Sequence, residues 1–263
     1  MTFDLEACRL HFTARDSIHF PAGFAGNVLR GAFGSILRTI TNAEDYARIF
    51  QPTSAGTGPS GLSDRPRPFV IRPSTLDERT IAPGEHFDFA LHLFDLRNPM
   101  LDHFTRAYGQ WAELTSVDRR AVTIDLAPCP TPVAHIRVEF QTPTDLKSAD
   151  GRPEADFSVL LARARDRVST LRSLYGAGPL EIDFRGMAER ARSIRTVRCE
   201  LTRVSIQRRS SRTGQHHGIG GFIGVAEYEG GLAEFLPLLE AARWTGIGRH
   251  CTWGNGAIAT GIL

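Results

Sequence analysis

The sequence predicts an α+β fold made of two tandem ferredoxin-like units. Three observations carry that expectation. Apolar periodicity reads β-α-β-β-α-β over the first half of the 263 residues, and the same order recurs over the second half. A proline-rich segment, APCPTP (127–132), separates the two readings. The length suits one large domain or two of ordinary size, enough to bury roughly 70–75% of the unfolded surface. The expected units are an N-terminal domain over 1–128 and a C-terminal domain over 133–263.

In the first half, residues 3–12 read as a strand with partial alternation. Residues 24–40 (FAGNVLRGAFGSILRTI) follow with helical spacing. Glycines 26, 31 and 34 weaken that helix by up to about 1 kcal/mol each and allow another backbone to come close. The Pro- and Gly-rich stretch 51–83 reads as a surface loop holding a short strand at Phe69–Ile71. Residues 85–96 alternate as a half-buried strand, with Phe87, Phe89, Leu91 and Leu93 on one face and His86, Asp88 and His92 on the other. Residues 99–114 form a helix with Pro99 at its first position, and 119–126 a strand.

In the second half, 133–141 is a strand and 154–175 the strongest helix, with Gly176 as its C-cap. Strands at 194–207 and 219–228 flank a polar loop. A helix over 231–244 is kinked or begun by Pro237, and 256–262 is the last strand.

Composition excludes several classes. Net charge is +2 with 41% hydrophobic residues, which is not a disordered chain. No stretch approaches the roughly 20 apolar residues of a membrane span, and the N-terminus lacks a signal-peptide core. A soluble, cytoplasmic protein without membrane contact is expected. Cys8, Cys129, Cys199 and Cys251 are far apart, which suits neither a disulfide scaffold nor a zinc site. Lys147 is the one lysine among 31 basic residues.

Charge is concentrated in 185–212, where nine arginines face two glutamates, a formal +7. By strand parity, Arg195, Arg203 and Gln207 share one face and Arg198 the other. The stretch runs into a hairpin tip, RRSSRTGQHHG (208–218), with Arg208, Arg209, Arg212, His216 and His217. Such a basic hairpin is an electrostatic footprint for nucleic acid. The bland alternative is a solvated tip in an arginine-rich protein. The second signal is GIGRHCTWGNG (246–256), whose Gly246, Gly248, Gly254 and Gly256 surround Arg249 and His250. Its backbone N–H groups can cradle phosphates. It follows a helix and enters a strand, the reverse of a dinucleotide-binding turn.

Several motifs together point to a family. They are Gly221-Phe222-x-Gly224 on a strand, Tyr228, an apolar helix and G-I-G-R-x-x-x-x-G-N-G. FAGNVLRGAFGSILR and RPRPFVIRP (65–73) occur upstream. In this the chain resembles the pre-crRNA-processing endoribonucleases of CRISPR systems, the sixth Cas family within the RAMP superfamily. The resemblance implies two RRM-like domains packed side by side that bind CRISPR repeat RNA between them. It also implies metal-free cleavage of precursor crRNA. The 2′-OH attacks the adjacent phosphate and leaves a 2′,3′-cyclic phosphate and a 5′-OH. No cofactor or metal is implied. Other Cas proteins are candidate partners, and the glycine-lined helix is a candidate homodimer face.

Two departures stand out. Relatives often carry a cysteine cluster after the first helix, whereas 39–50 has none. Relatives often place a catalytic histidine in or just after that helix, whereas 24–40 has none. Tyr46 is the nearest titratable residue. His250 is the first candidate general acid or base, with Tyr46, His216 and His217 beside it. Arg208, Arg209, Arg212, Arg249 and the loop glycines are the candidate RNA-binding residues. His11, His86, His92, His103 and His135 read as surface or satisfied core residues, and His19 is ambiguous. Tyr228 is expected to pack or contact RNA, because an ordinary phenol titrates near pH 10. Two rivals stand against cleavage. One is a non-catalytic RNA-binding RAMP subunit of an effector complex. The other, a general single-strand RNA binder, is disfavoured because the aromatic RNP pattern is missing.

Overall fold

The computed structural model describes residues 1–52, 65–73, 75–146, 155–209 and 216–263, with backbone only at 207–209 and 216–217. The first half runs β1 (Thr2–Thr13), β2 (Ile18–Phe20), α1 (Ala25–Ile40), α2 (Ala43–Phe50), β3 (Phe69–Arg72), β4 (Arg79–Ile81), β5 (His86–Leu93), α3 (Leu101–Trp111) and β6 (Glu113–Asp125). The second runs β7 (His135–Thr144), α4 (Phe157–Tyr175), α5 (Phe184–Ala191), β8 (Arg195–Val204), β9 (Gln207–Arg209), β10 (His216–Gly218), β11 (Gly221–Glu229), α6 (Leu236–Thr245), a 3-10 turn (Cys251–Trp253) and β12 (Ile258–Ile262).

The main sheets are ordered β3-β5-β1-β6 and β12-β7-β11-β8, each antiparallel. Each places its first strand between its third and fourth, which is the ferredoxin-like order twice over. Small additions decorate this frame. Strands β2 and β4 pair, β9 and β10 close the basic hairpin, and α2 and α5 are short helices. Asn42 and Asp183 cap the two helices by accepting from Asp45 N and Gly186 N. Helix α3 begins at Leu101, so Pro99 precedes it rather than occupying its first turn. Helix α4 begins where Asp156 accepts from Ser158 N and Val159 N, and Gly176 caps its end by donating to Arg172 O. Pro237 lies in the first turn of α6, where its missing N–H costs nothing, and starts the helix rather than kinking it.

Strand β1 shows how the core is divided. Its even positions Cys8, Leu10 and Phe12 face α1 and α3, where Phe33 stacks on Phe104 at 3.8 Å between ring centroids. Phe3 and Leu5 face the other way and join Val70 and Phe94 in the core of the second half. The N-terminal sheet is therefore covered on both faces. This alters the expected half-buried reading of β5, because His92, on its polar face, is only 8% exposed.

Polar contacts fix the junction. Arg172 Nε donates to Thr2 O (2.8 Å), Arg97 to Leu174 O (2.8 Å) and Tyr175 Oη to Pro66 O (2.6 Å). His92 Nδ1 lies 2.8 Å from Trp244 O, which requires the proton on Nδ1. Burial and the neighbouring Arg72 guanidinium hold the His92 pKa down to about 3. Burial also draws Arg72 down to about 10, which leaves it charged at neutral pH.

Two of the three α1 glycines permit close packing. A Cβ at Gly26 would lie 1.8 Å from Trp253 O, and one at Gly34 2.1 Å from the Phe50 ring, whereas Gly31 has nothing within 4 Å. Gly31→Ala should therefore stabilise the protein by up to about 1 kcal/mol. Gly26→Ala should destabilise it and loosen residues 251–254, as read by urea unfolding and by proteolysis of that loop. His92 supplies a pH test. Its folded pKa lies below the ordinary 6.5, so the unfolded chain takes up the proton first. Its contribution is intact above about pH 6.5 and is lost as pH falls towards 3. Melting curves of His92→Gln should fall less steeply than wild type between pH 7.5 and 5, and parallel curves would contradict the assignment.

Candidate active site at the junction of the halves

The glycine-rich loop links α6 to β12 and lies against the N-terminal half. Gly246 ends α6 with φ 71°, a backbone state that favours glycine. A Cβ at Gly256 would meet Ile247 O at 2.0 Å, and one at Gly248 would meet Asp145 O at 2.3 Å. Thr142 pins the loop by donating from Oγ1 to Gly254 O (2.9 Å) and accepting from Ala257 N (2.9 Å). Arg72 of β3 reaches Gly254 O and Arg243 O at 3.4 Å each.

This geometry divides the four glycines predicted to cradle phosphate. The N–H groups of Gly246, Gly254 and Gly256 donate to Ala242 O, Cys251 O and Pro143 O. Those amides are committed inside the protein, so these glycines serve close packing. Gly248, Arg249 and His250 form the outward bend. Arg249 is more than half exposed and lies 3.7 Å from Asp145.

His250 is half-buried and holds a left-handed backbone (φ 62°) at the start of the 3-10 turn. Its ring stacks on Trp253 at 4.6 Å between centroids and 11° between planes. Trp253 rests in turn on Arg30 of α1, whose guanidinium carbon lies 5.2 Å from that ring and 4.6 Å from the Phe50 ring. Phe50 touches Tyr46 across 5.5 Å on α2. Tyr46, Phe50, Arg30, Trp253 and His250 thus form one continuous stack. The structure brings Tyr46 and His250 onto the same layer with three side chains between them, rather than into mutual contact.

The basic hairpin rises beside this stack. A Cβ at Gly23, just before α1, would lie 2.7 Å from Ile206 Cδ1, and Asn255 Nδ2 donates to Ile219 O (2.8 Å). The hairpin base is therefore tied to both α1 and the glycine-rich loop. Backbone register sets His216 opposite Arg209 and His217 opposite Arg208. Arg212 lies outside the described residues, as do the side chains of Arg208, Arg209, His216 and His217.

The charge count of 185–212 changes on folding. Arg185, Arg190, Arg195 and Arg198 pair with Glu189, Glu234, Glu229 and Glu200, and Arg198 also reaches Glu227. A bulge at Val197 shifts β8 against β11 and sets Arg195 on the face of Arg198, not on that of Arg203. Gln207 falls in β9, beyond the end of β8. Exposed pairs of this kind add little stability, but they cancel much of the local field.

The remaining histidines have local roles. His11 binds Asp118 (2.9 Å), His86 binds Thr13 (3.0 Å), His19 binds Thr80 (2.9 Å) and His135 lies 3.7 Å from Glu227. His103 sits on α3. Tyr228 is fully buried and donates to Ala155 O (2.7 Å), so it packs and does not meet RNA. Among the described residues no cluster of three or more His, Cys, Asp or Glu could hold a metal, and no helix is long and apolar enough to cross a membrane. Sequence reading passed over Arg30, Trp253, Arg72 and Trp244. The signal that could have found them was an arginine inside an otherwise apolar helix face and tryptophans within or beside the glycine-rich loop.

The family model described as CRISPR-associated endoribonuclease Cas6 matches residues 138–258, and a model described as an N-terminal domain matches 3–127. No curated protein matches the sequence. Among solved structures the chain is similar to a Cas6 product complex, with a TM-score of 0.60 and 15% identity over 97% of this chain and 99% of that one. It is similar to Cas6 of Thermus thermophilus, at 0.58 and 13% over 99% of each chain. A chain of a partial Cas6-RT-Cas1–Cas2 complex gives 0.65 and 12% over 99% of this chain and 46% of that one. At these identities the likeness establishes a shared fold. Taken together, residues 138–258, which end on the glycine-rich loop, match the CRISPR-associated endoribonuclease family Cas6, and the whole chain shares the duplicated ferredoxin-like fold of solved Cas6 structures.

Proposed function

We propose that this protein binds CRISPR repeat RNA where the glycine-rich loop meets α1 and cleaves it without a metal, once per repeat. The observation that carries the proposal is that His250 is held at the bend of that loop, with the basic hairpin tied to the same base. Solved relatives are described as a Cas6 product complex and as a Cas6-RT-Cas1–Cas2 complex, which supports RNA and other Cas proteins as partners here.

The chemistry needs three things. A base removes the proton from the 2′-OH, whose oxygen then attacks the adjacent phosphorus. An acid protonates the departing 5′-oxygen as the P–O5′ bond breaks. A cation steadies the crowded phosphorane. The products are a 2′,3′-cyclic phosphate and a 5′-OH. His250 takes one of the proton-transfer roles, and Tyr46, His216 or His217 the other. Arg249 and the Gly248 backbone face the phosphate. Gly246, Gly254 and Gly256 shape the loop. Arg208, Arg209 and Arg212 grip the repeat.

Labelled repeat RNA incubated with the protein in EDTA tests this directly. Cleavage should occur, and a single 2′-deoxy nucleotide at the cut site should abolish it. His250→Ala should lower the single-turnover rate by about 10²–10⁴-fold with little change in RNA affinity. Tight binding without product would favour a non-catalytic RNA-binding subunit, the reading that the histidine-free α1 keeps open. Arg208→Ala and Arg209→Ala should each weaken binding and flatten its log–log salt dependence by about 0.7–0.9 for each phosphate no longer neutralised. Unchanged slopes in both would remove the hairpin from the interface.

A further inference from the structure

A cavity of about 300 Å³ lies beside α2. Ala47 and Arg48 of α2 line it, with Arg65, the β5–α3 connection (Asp95, Arg97) and the end of α4 (Tyr175). Three guanidiniums thus face one carboxylate, a formal +2. That carboxylate is partly engaged, since Asp95 accepts from Asn98 N (3.1 Å) and Asn98 Nδ2 (3.2 Å). Arg48 is held in place by Asp45 (3.0 Å) and lies 4.0 Å from Asp95. Arg97 is fixed by one donor on Leu174 O and has others to spare, because guanidinium carries five N–H bonds. Arg65 is exposed at the mouth.

We propose that this cavity is a phosphate-binding pocket and that its occupant is a backbone phosphate of the RNA beside the segment held at His250. The inference rests on the RNA reading above. Convergent guanidiniums suit phosphate through paired N–H···O bonds. Helix α2 carries residues of both sites, since Ala47 and Arg48 line the cavity while Tyr46 and Phe50 belong to the stack with Arg30 and Trp253. An RNA strand running from the glycine-rich loop along α2 would meet these guanidiniums.

The test uses the full chain and three probes: unmodified repeat RNA for the cleavage rate, the same RNA with a 2′-deoxy nucleotide at the cut site for binding, and AMP. Arg65→Gln, Arg97→Gln and the double variant are compared with wild type, with melting curves confirming the fold. The expected result is weaker RNA binding, a log–log salt slope reduced by about 0.7–0.9 per arginine removed, and an unchanged cleavage rate at saturating RNA. RNA binding and slope equal to wild type in the double variant would overturn the RNA assignment, and loss of AMP binding alone would reassign the pocket to free nucleotides. Unchanged binding of RNA and of AMP would overturn the pocket. If wild type binds no repeat RNA but AMP binding depends on these arginines, the RNA reading fails and the phosphate pocket stands.

Discussion

The interaction on which the rest depends is the seating of Trp253 O against the bare Cα of Gly26. A methyl group there would collide with a backbone carbonyl, which cannot rotate away as a side chain can. This seating draws the end of the glycine-rich loop down onto α1. Once it is there, the Trp253 ring lies within reach of Arg30, and Arg30 lies between Trp253 and Phe50. The same seating turns His250 outward in a left-handed conformation, which a non-glycine residue holds only where the surroundings impose it.

A buried cation between two aromatic rings is a demanding arrangement. Arg30 is 9% exposed, so its charge has given up most of its water. Cation–π attraction recovers part of that cost, about 2 kcal/mol or more where the ring face is desolvated. The stack also passes between halves: α1 and α2 supply Arg30 and Phe50, and the loop supplies Trp253 and His250. The site therefore exists only when both halves are folded and docked. The Arg72 contacts to Gly254 O and Arg243 O and the His92 contact to Trp244 O serve the same end from the far side of the loop.

The duplicated β-α-β-β-α-β order was legible because each core element carries its own apolar period. Phe87, Phe89, Leu91 and Leu93 alternate without interruption, and α4 repeats its apolar residues over five turns. Helices α2 and α5 were not legible. Each has eight residues and its polar caps resemble loop chemistry, so there was too little period to register. The parity argument on 194–207 failed at Val197, since one extra residue in a strand moves every later side chain to the other face. The +7 count misled for a related reason. Charge was summed along the chain, whereas Glu227, Glu229 and Glu234 come from the neighbouring strand and the turn after it.

The same distinction explains what was visible of the site. A glycine-rich loop announces itself in one dimension, and so does the histidine inside it. Arg30 does not, because its meaning comes from Trp253, more than 200 positions away. Nor does the role of the glycines. The sequence suggested open amides for phosphate, but Gly246, Gly254 and Gly256 donate inward to Ala242, Cys251 and Pro143. Their small size lets α6, β7 and the loop approach closely enough to close those bonds, and the bonds make the loop rigid. A rigid loop holds the His250 imidazole at one position, which the proton-transfer role proposed for it requires, because misplacement by a fraction of an ångström is costly there. On the function proposed above, phosphate recognition then falls to groups that project from the loop, of which Arg249 is more than half exposed.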